Sequence, residues 1–171
     1  MKKIKICGLK RREDIEYVNK YQPDYIGFVF AGKKRKLTYD QVVDLKKYLT
    51  SSIQVVGVFV NEDISFVEKL VKNDVIDLVQ LHGQETNEYI QALKEKVDVS
   101  IIKAIQIKNE DSFNEHYDVD YYLYDHDGKL LNRITKGESL VAGNIVHVDT
   151  LKREMIFSGF PLTYKISLPF S

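Results

Sequence analysis

Short apolar runs recur along the chain, and each is followed by a stretch whose apolar residues return every three or four positions. The first run covers roughly Lys3 to Cys7, where lysines alternate with Ile4 and Ile6 at a period of two, and it predicts a strand. A helix is expected over about Arg11 to Tyr21 with Ile15 and Val18 on one face, punctuated by Pro23-Asp24. Tyr25 to Phe30 is nearly all apolar, as in a strand buried on both faces. After a basic loop from Gly32 to Lys36, Thr38-Tyr39-Asp40-Gln41 predicts a capping box that opens a helix with Val42, Leu45 and Leu49 inward. The third strand is Val55 to Val60, with Asn61 as cap of a helix carrying Ile64, Val67 and Val71. The fourth is Asp77 to Leu81, closed by His82-Gly83 and followed by a helix from about Glu85 to Lys96 with Tyr89 and Leu93 inward. The fifth is Ser100 to Ala104, with a shorter helix from Asn109 through Phe113, and the sixth is Asp120 to Tyr124, with Asp125 at its end.

Six strands thus start roughly 20 to 30 residues apart, each followed by a helix, the spacing that parallel crossovers require. Strict βα repetition leaves a (β/α)-barrel or an open doubly wound sheet. An open sheet of that kind normally carries a glycine-rich nucleotide loop after its first strand, and Cys7-Gly8-Leu9-Lys10 is not one. In a barrel the strand C-termini form one face. That arrangement places Cys7, Phe30 with its basic loop, Val60-Asn61, Gln80 to His82, Lys103 and Asp125 around one mouth.

Composition narrows the classes. The 171 residues suit a single domain, 1–171, and 44% hydrophobic residues are enough for a sizeable core. Lys and Arg total 25 against 25 Asp and Glu, so the global basic excess of a nucleic-acid binder is missing. A single cysteine excludes an internal disulfide and argues against a thiolate metal site. No run reaches transmembrane length, and the start of the chain lacks the apolar stretch of a signal peptide. The expectation is a soluble cytoplasmic protein without nucleic-acid or membrane partners, its oligomeric state left open.

Cys7 and Asp125 end the first and sixth strands. A thiolate takes a proton and a carboxylic acid gives one, so the pair suits an isomerisation that needs no cofactor. The plainer readings are a small buried hydrophobe for Cys7 and a helix cap or turn residue for Asp125. Lys33-Lys34-Arg35-Lys36 is either a solvated charged loop or an anion site, with Arg35 suited to a carboxylate through paired hydrogen bonds. His82 is a ligand, a hydrogen-bond donor or a turn residue. No second histidine stands at metal-binding spacing, so no metal is expected.

Several motifs together resemble the phosphoribosylanthranilate isomerases, small (β/α)8 TIM-barrel enzymes of tryptophan biosynthesis. They are Lys5-Ile6-Cys7-Gly8, Asp24 to Ala31, Lys34-Arg35, Val56 to Asn61, Leu78 to Gly83 and Ile102-Lys103-Ala104. They cover about residues 3 to 125. The resemblance implies an Amadori rearrangement of N-(5'-phosphoribosyl)anthranilate. By matching position, Cys7 is the general base at C2', Asp125 the general acid at the ring oxygen, and Arg35 the holder of the anthranilate carboxylate. Gln80 and His82 are implied substrate contacts.

Past Asp125 the chain departs from that pattern, and 126–171 is poorly matched to it. The family's phosphate loop is rich in glycine, which lets backbone N–H groups approach phosphate. Lys136-Gly137-Glu138 resembles the approach to it, but Leu140, Val141, Ala142 and Gly143 stand in the loop itself, so only Gly143 survives. Ile156-Phe157-Ser158-Gly159 resembles a seventh strand whose Ser158 and Gly159 reach substrate, although Phe160 replaces a second glycine. No eighth strand precedes Ser171. The expectation is an incomplete α/β barrel of (β/α)8 type, with six clear βα units, a seventh strand and no eighth. It carries weak or absent activity and marginal stability, as a truncated or frameshifted copy or as a diverged member. The rivals are a non-catalytic barrel fragment with at most weak binding of phosphorylated ligands, and a relative of indole-glycerol-phosphate synthase.

Overall fold

A computed structural model describes residues 3–106, 115–125, 145–149, 154–159 and 162–167. The expected helix from Asn109 to Phe113 and the whole run from Lys136 to Gly143 lie outside them. The apolar runs form strands β1 (Lys5–Cys7), β2 (Tyr25–Val29), β3 (Gln54–Phe59), β4 (Leu78–Leu81), β5 (Ile101–Gln106) and β6 (Tyr121–Asp125). Between them lie helices α1 (Arg12–Tyr21), α2 (Tyr39–Lys46), α3 (Ile64–Lys72) and α4 (Asn87–Lys94). Strands β1 to β6 pair in chain order, all parallel. This is the curled, parallel half of a barrel of (β/α)8 type.

Burial follows the two-residue period of the strands and divides the core in two. One set of positions packs against the helices: Ile26 and Phe28 of β2, Val55 and Phe59 of β3, Val79 and Leu81 of β4, and Ile101 of β5 meet Ile15 and Val18 of α1, Val42 of α2, Val67 and Leu70 of α3, and Ile90 and Leu93 of α4. The alternate positions fill the inside of the curl: Val56, Val58, Leu78, Ile102, Ala104 and Leu123, with Cys7, Tyr25, Val29 and Tyr121 packed on them. In β1 this inverts the simplest reading of the sequence. Ile4 is 37% exposed, Ile6 packs on the helix side, and Lys5 is buried. Because both faces of the strand are covered, the alternating lysine is the inward residue.

The helix starts show local chemistry winning or losing to loop geometry. Thr38 and Gln41 make the expected capping box: Gln41 N donates to Thr38 Oγ1 (3.3 Å) and Thr38 N to Gln41 Oε1 (2.8 Å). Asn61 does not cap α3; Asp63 does, accepting from Ser65 N, while Asn61 sits at φ 48°. Likewise α4 begins after Thr86, which accepts from Tyr89 N, and Glu85 is withdrawn from the helix for another use.

One device repeats three times. The aspartate just before β2, β4 and β6 accepts a hydrogen bond from a backbone N–H at the N-terminal end of the preceding strand. Ile4 N donates to Asp24 Oδ2 (2.7 Å), Val55 N to Asp77 Oδ2 (2.7 Å) and Ile101 N to Asp120 Oδ2 (2.8 Å). The strand registers match as well: Lys5 opposes Tyr25, Val56 opposes Leu78, and Ile102 opposes Tyr121. Each carboxylate therefore pins a pair of strands at their N-terminal ends.

Past β6 the sheet changes character. Strands β7 (Ile145–Asp149), β8 (Glu154–Gly159) and β9 (Leu162–Ser167) continue it as an antiparallel meander. The expected seventh parallel strand at Ile156 to Gly159 is thus part of β8, with antiparallel neighbours on both sides. The reason is chain length: four residues join β7 to β8 and two join β8 to β9, far short of the dozen or so that a parallel crossover needs, about 12. Strand β9 returns to within 8 Å of β1, Cα to Cα, so the sheet curls nearly round on itself.

Asp77→Ala removes a charged acceptor from the Val55 N–H and is expected to cost about 1–3 kcal/mol. Urea unfolding checks this: the midpoint falls while the slope is unchanged.

Candidate active site

The C-terminal ends of the parallel strands gather the polar side chains. Cys7 ends β1 opposite Gly27, and a Cβ on Gly27 would lie 2.5 Å from the thiol Sγ. Only glycine there leaves room for the sulfur. The chain then turns at Gly8 (φ 85°), whose N–H donates to Gly27 O (2.9 Å).

The basic loop after β2 folds back over that turn. Leu37 N donates to Val29 O (2.8 Å), and Lys10 Nζ reaches Lys34 O (3.1 Å). Lys33, Lys34, Arg35 and Lys36 are all exposed, but Arg35 has a defined course. Its side chain lies directly over Gly8, where a Cβ would meet Nη1 at 2.6 Å, and Nη1 approaches Cys7 O at 3.5 Å. The structure therefore brings Arg35 and Cys7 together, although 28 residues separate them.

Gln80 and His82 form a second pair. Gln80, 1% exposed, faces the interior from β4; its Nε2 lies 3.0 Å from His82 Nδ1, and its Oε1 accepts from Lys5 Nζ. An ammonium only donates, so Gln80 must turn its carbonyl to Lys5 and its NH2 to the imidazole. His82 Nδ1 is then the acceptor, and a neutral His82 carries its proton on Nε2.

Lys103 does not join this mouth. Its position in β5 faces the helices, where it forms a buried ion pair with Glu85 (Nζ to Oε2, 2.8 Å) and donates to Gly83 O (2.8 Å). Glu85 also accepts from Asn61 N (2.8 Å) and Gly83 N (2.9 Å), and Asn61 Oδ1 accepts from Gln84 N (2.8 Å). A Cβ on Gly83 would lie 2.6 Å from Asn61 Oδ1. This knot ties the loops after β3 and β4 to β5 and so steadies the loop that carries His82. Reading the sequence missed Glu85 as anything but a helix start. The available signal was Lys103, a charge inside an apolar strand, which demands a buried partner.

Asp125 is the last residue of β6, paired with Gln106 on one side and Ile145 on the other. Ser158 and Gly159 end β8, which runs in the same direction as β6, and they pair with Thr163 and Leu162 of β9. Gly143 is outside the described residues. Among the described residues, no group of three His, Cys, Asp or Glu could hold a metal ion, and no helix is long and apolar enough to cross a membrane.

Six parallel strands clad in helices and curled into a half-barrel place the chain in the (β/α)8-barrel class. Residues 4–159 match the family described as N-(5'phosphoribosyl)anthranilate (PRA) isomerase. The N-(5'-phosphoribosyl)anthranilate isomerase of Lachnoclostridium phytofermentans is 50% identical over 125 residues, 72% of this chain and 57% of that protein. That of Thermoanaerobacter sp. X514 is 38% identical over 170 residues, 98% of this chain and 76% of that protein. Among solved structures, the phosphoribosyl anthranilate isomerase of Thermotoga maritima superposes with a TM-score of 0.63 at 28% identity, covering 72% of this chain and 60% of that one. The same enzyme type in complex with reduced 1-(o-carboxyphenylamino)-1-deoxyribulose 5-phosphate also gives 0.63 at 28%, covering 76% of this chain and 68% of that one. The chain belongs to the phosphoribosylanthranilate isomerase family. It spans 57% to 62% of the length of the three curated relatives it matches first.

The Glu85–Lys103 pair carries a pH signature. Burial pushes the Glu85 carboxyl up, but the Lys103 ammonium and the Asn61 N–H outweigh it and hold Glu85 below the ordinary carboxylate range. A depressed folded pKa adds stability that is present above the unfolded glutamate value and lost as pH falls through the folded one. Glu85→Gln is therefore expected to flatten the acid limb of stability against pH. Lys103→Met strands a buried carboxylate and is expected to cost about 3–5 kcal/mol at neutral pH. Urea midpoints from neutral to acid pH test both.

Proposed function

We propose that this chain carries out the isomerisation of N-(5'-phosphoribosyl)anthranilate to 1-(2-carboxyphenylamino)-1-deoxyribulose 5-phosphate, a cytoplasmic step of tryptophan biosynthesis that uses no cofactor. The observation that carries this reading is the meeting of Cys7 and Arg35 at the end of β1. It sets a guanidinium that suits the anthranilate carboxylate against the backbone of the strand end that carries the thiol.

The chemistry needs one acid and one base. Asp125, at the end of β6, protonates the ribose ring oxygen, and the bond from that oxygen to C1' breaks to leave a protonated Schiff base. The Cys7 thiolate then removes the C2' proton, giving an enol-amine. The 2'-hydroxyl gives up its proton as C1' gains one, so substrate and product have the same atoms. Asp125 closes β6 at its C-terminal end. Gln80 and His82 stand at the end of β4 as the expected substrate contacts. Gly143, Ser158 and Gly159 belong to the phosphate side. The relative solved with a reduced phosphorylated product analogue supports a small phosphorylated ligand.

A second reading has its own observation. Strands β7 to β9 are antiparallel where the barrel pattern calls for further βα units, and backbone glycines for the phosphate are few. The phosphate is a remote anchor whose binding energy helps the reacting end, so turnover is expected to fall well below that of a full-length relative, leaving an impaired barrel with weak phosphorylated-ligand binding.

The test follows anthranilate fluorescence as phosphoribosylanthranilate generated in place is consumed. Cys7→Ala is expected to lose about 10²- to 10⁴-fold in rate, and Arg35→Met to raise KM more than it lowers kcat. Consumption that ignores Cys7 sinks the reading. A rate equal to that of a full-length relative removes the impaired alternative.

A further inference from the structure

The direction of the His82 side chain is set by two peptide planes, and Glu85 holds one of them. His82 N donates to Phe59 O (2.8 Å), which fixes the peptide before the residue. Gly83 N donates to Glu85 Oε2 (2.9 Å), which fixes the peptide after it. Peptides are planar, so these two contacts set φ and ψ of His82 and with them the course of its Cα–Cβ bond. The next peptide is held from both sides: Gly83 O accepts from Lys103 Nζ (2.8 Å), and Gln84 N donates to Asn61 Oδ1 (2.8 Å).

The chemistry of position 85 suits this task. Glu85 Oε1 also accepts from Asn61 N (2.8 Å), and Oε2 accepts from Lys103 Nζ (2.8 Å). Three donors thus converge on one fully buried side chain, and the Lys103 side chain is buried beside it. An ionised carboxylate can accept all three, whereas a glutamine offers one oxygen and turns an NH2 donor toward the ammonium. Asn61 completes the clasp from the β3 side at φ 48°, and the neighbouring Glu62 O accepts from Tyr89 Oη (2.7 Å). A buried ion pair that serves packing alone is often replaceable by apolar side chains. Here the hydrogen bonds of the pair end on the backbone that follows His82.

We propose that Glu85 is a positioning residue: paired with Lys103, it sets the backbone around His82 and holds the imidazole in one direction for the ligand. The proposal rests on the reading of His82 as a substrate contact.

The probe is reduced 1-(o-carboxyphenylamino)-1-deoxyribulose 5-phosphate, the compound bound in the solved structure of a relative. Its affinity is measured by calorimetry for the parent chain, Glu85→Gln, His82→Asn, the double variant and Val18→Ala, each checked by far-UV circular dichroism. Val18 is a core residue of α1, so its truncation loosens the fold away from this loop. Glu85→Gln is expected to weaken binding about tenfold. The double variant is expected to bind no more weakly than His82→Asn, because Glu85 acts through His82. Where turnover is followed, Glu85→Gln raises KM more than it lowers kcat. Parent-like affinity in folded Glu85→Gln overturns the proposal. So do single losses that multiply in the double variant, an equal loss in Val18→Ala, or parent-like affinity in His82→Asn.

Amide hydrogen exchange needs no ligand. At His82 and Gly83, taken relative to the β2 amides, it is expected to quicken about tenfold in Glu85→Gln, and an unchanged ratio overturns the proposal. If the parent chain does not bind the probe, the isomerase reading falls and exchange alone decides whether Glu85 holds His82. Tight binding by the parent with parent-like Glu85→Gln keeps the isomerase reading and removes the proposal. If Glu85→Gln does not fold, Asn61→Gly takes its place, with the same supporting and overturning results. Glycine keeps the left-handed backbone there and removes the acceptor of Gln84 N.

Discussion

A carboxylate at the foot of every second strand holds the parallel sheet in register. Asp24, Asp77 and Asp120 each accept a backbone N–H at the N-terminal end of the strand before them, a donor that needs a partner once the strand is buried. Because side chains alternate across a strand, a slip of one residue would turn every interior side chain toward the helices. The position of Cys7, Gln80 and Leu123 inside the curl therefore depends on contacts made at its opposite end. Fold and site are linked through register, and three aspartates supply it.

The sheet is buried on both faces, and polar groups on each face are answered differently. On the helix side, Lys103 and Glu85 neutralise each other and tie three strand ends together. On the inner side, Lys5, Gln80 and His82 form a line of hydrogen bonds that runs from the interior to the mouth. The first arrangement is closed: charge and hydrogen bonds are spent among protein groups. The second runs out to the imidazole of His82 at the end of β4. Side chains held this way lose little freedom when a ligand arrives, which is how a small barrel presents a defined site.

The two ends of the proposed substrate fall on different parts of the molecule. Cys7, Arg35, Gln80 and His82 stand on the parallel wall, whose six strands repeat one geometry. The groups assigned to the phosphate belong to the stretch beyond β6, where short connections impose antiparallel pairing. Acid–base chemistry can thus be encoded in one region while remote binding energy is set in another. A chain can keep the first and change the second.

Much of this was legible in residue order. The two-residue and 3.6-residue periods place six strands and four helices, and Thr38 with Gln41 marks a helix start that the structure keeps. Cys7, Gln80 and His82 lie at or near strand ends as expected, because strand ends are local features. What residue order did not determine was which side of a doubly buried strand faces inward: the alternation in β1 left the direction of Lys5 open and it is interior, and Lys103, expected at the mouth, lies under the helices. Nor did it foretell that Glu85 leaves its helix for Lys103, or that Arg35 folds back over Gly8. The reason is physical. Periodicity and capping are set by neighbours within a few residues, whereas the inward face of a strand and the partner of a buried charge are set by groups many residues away, which only the closed sheet brings together.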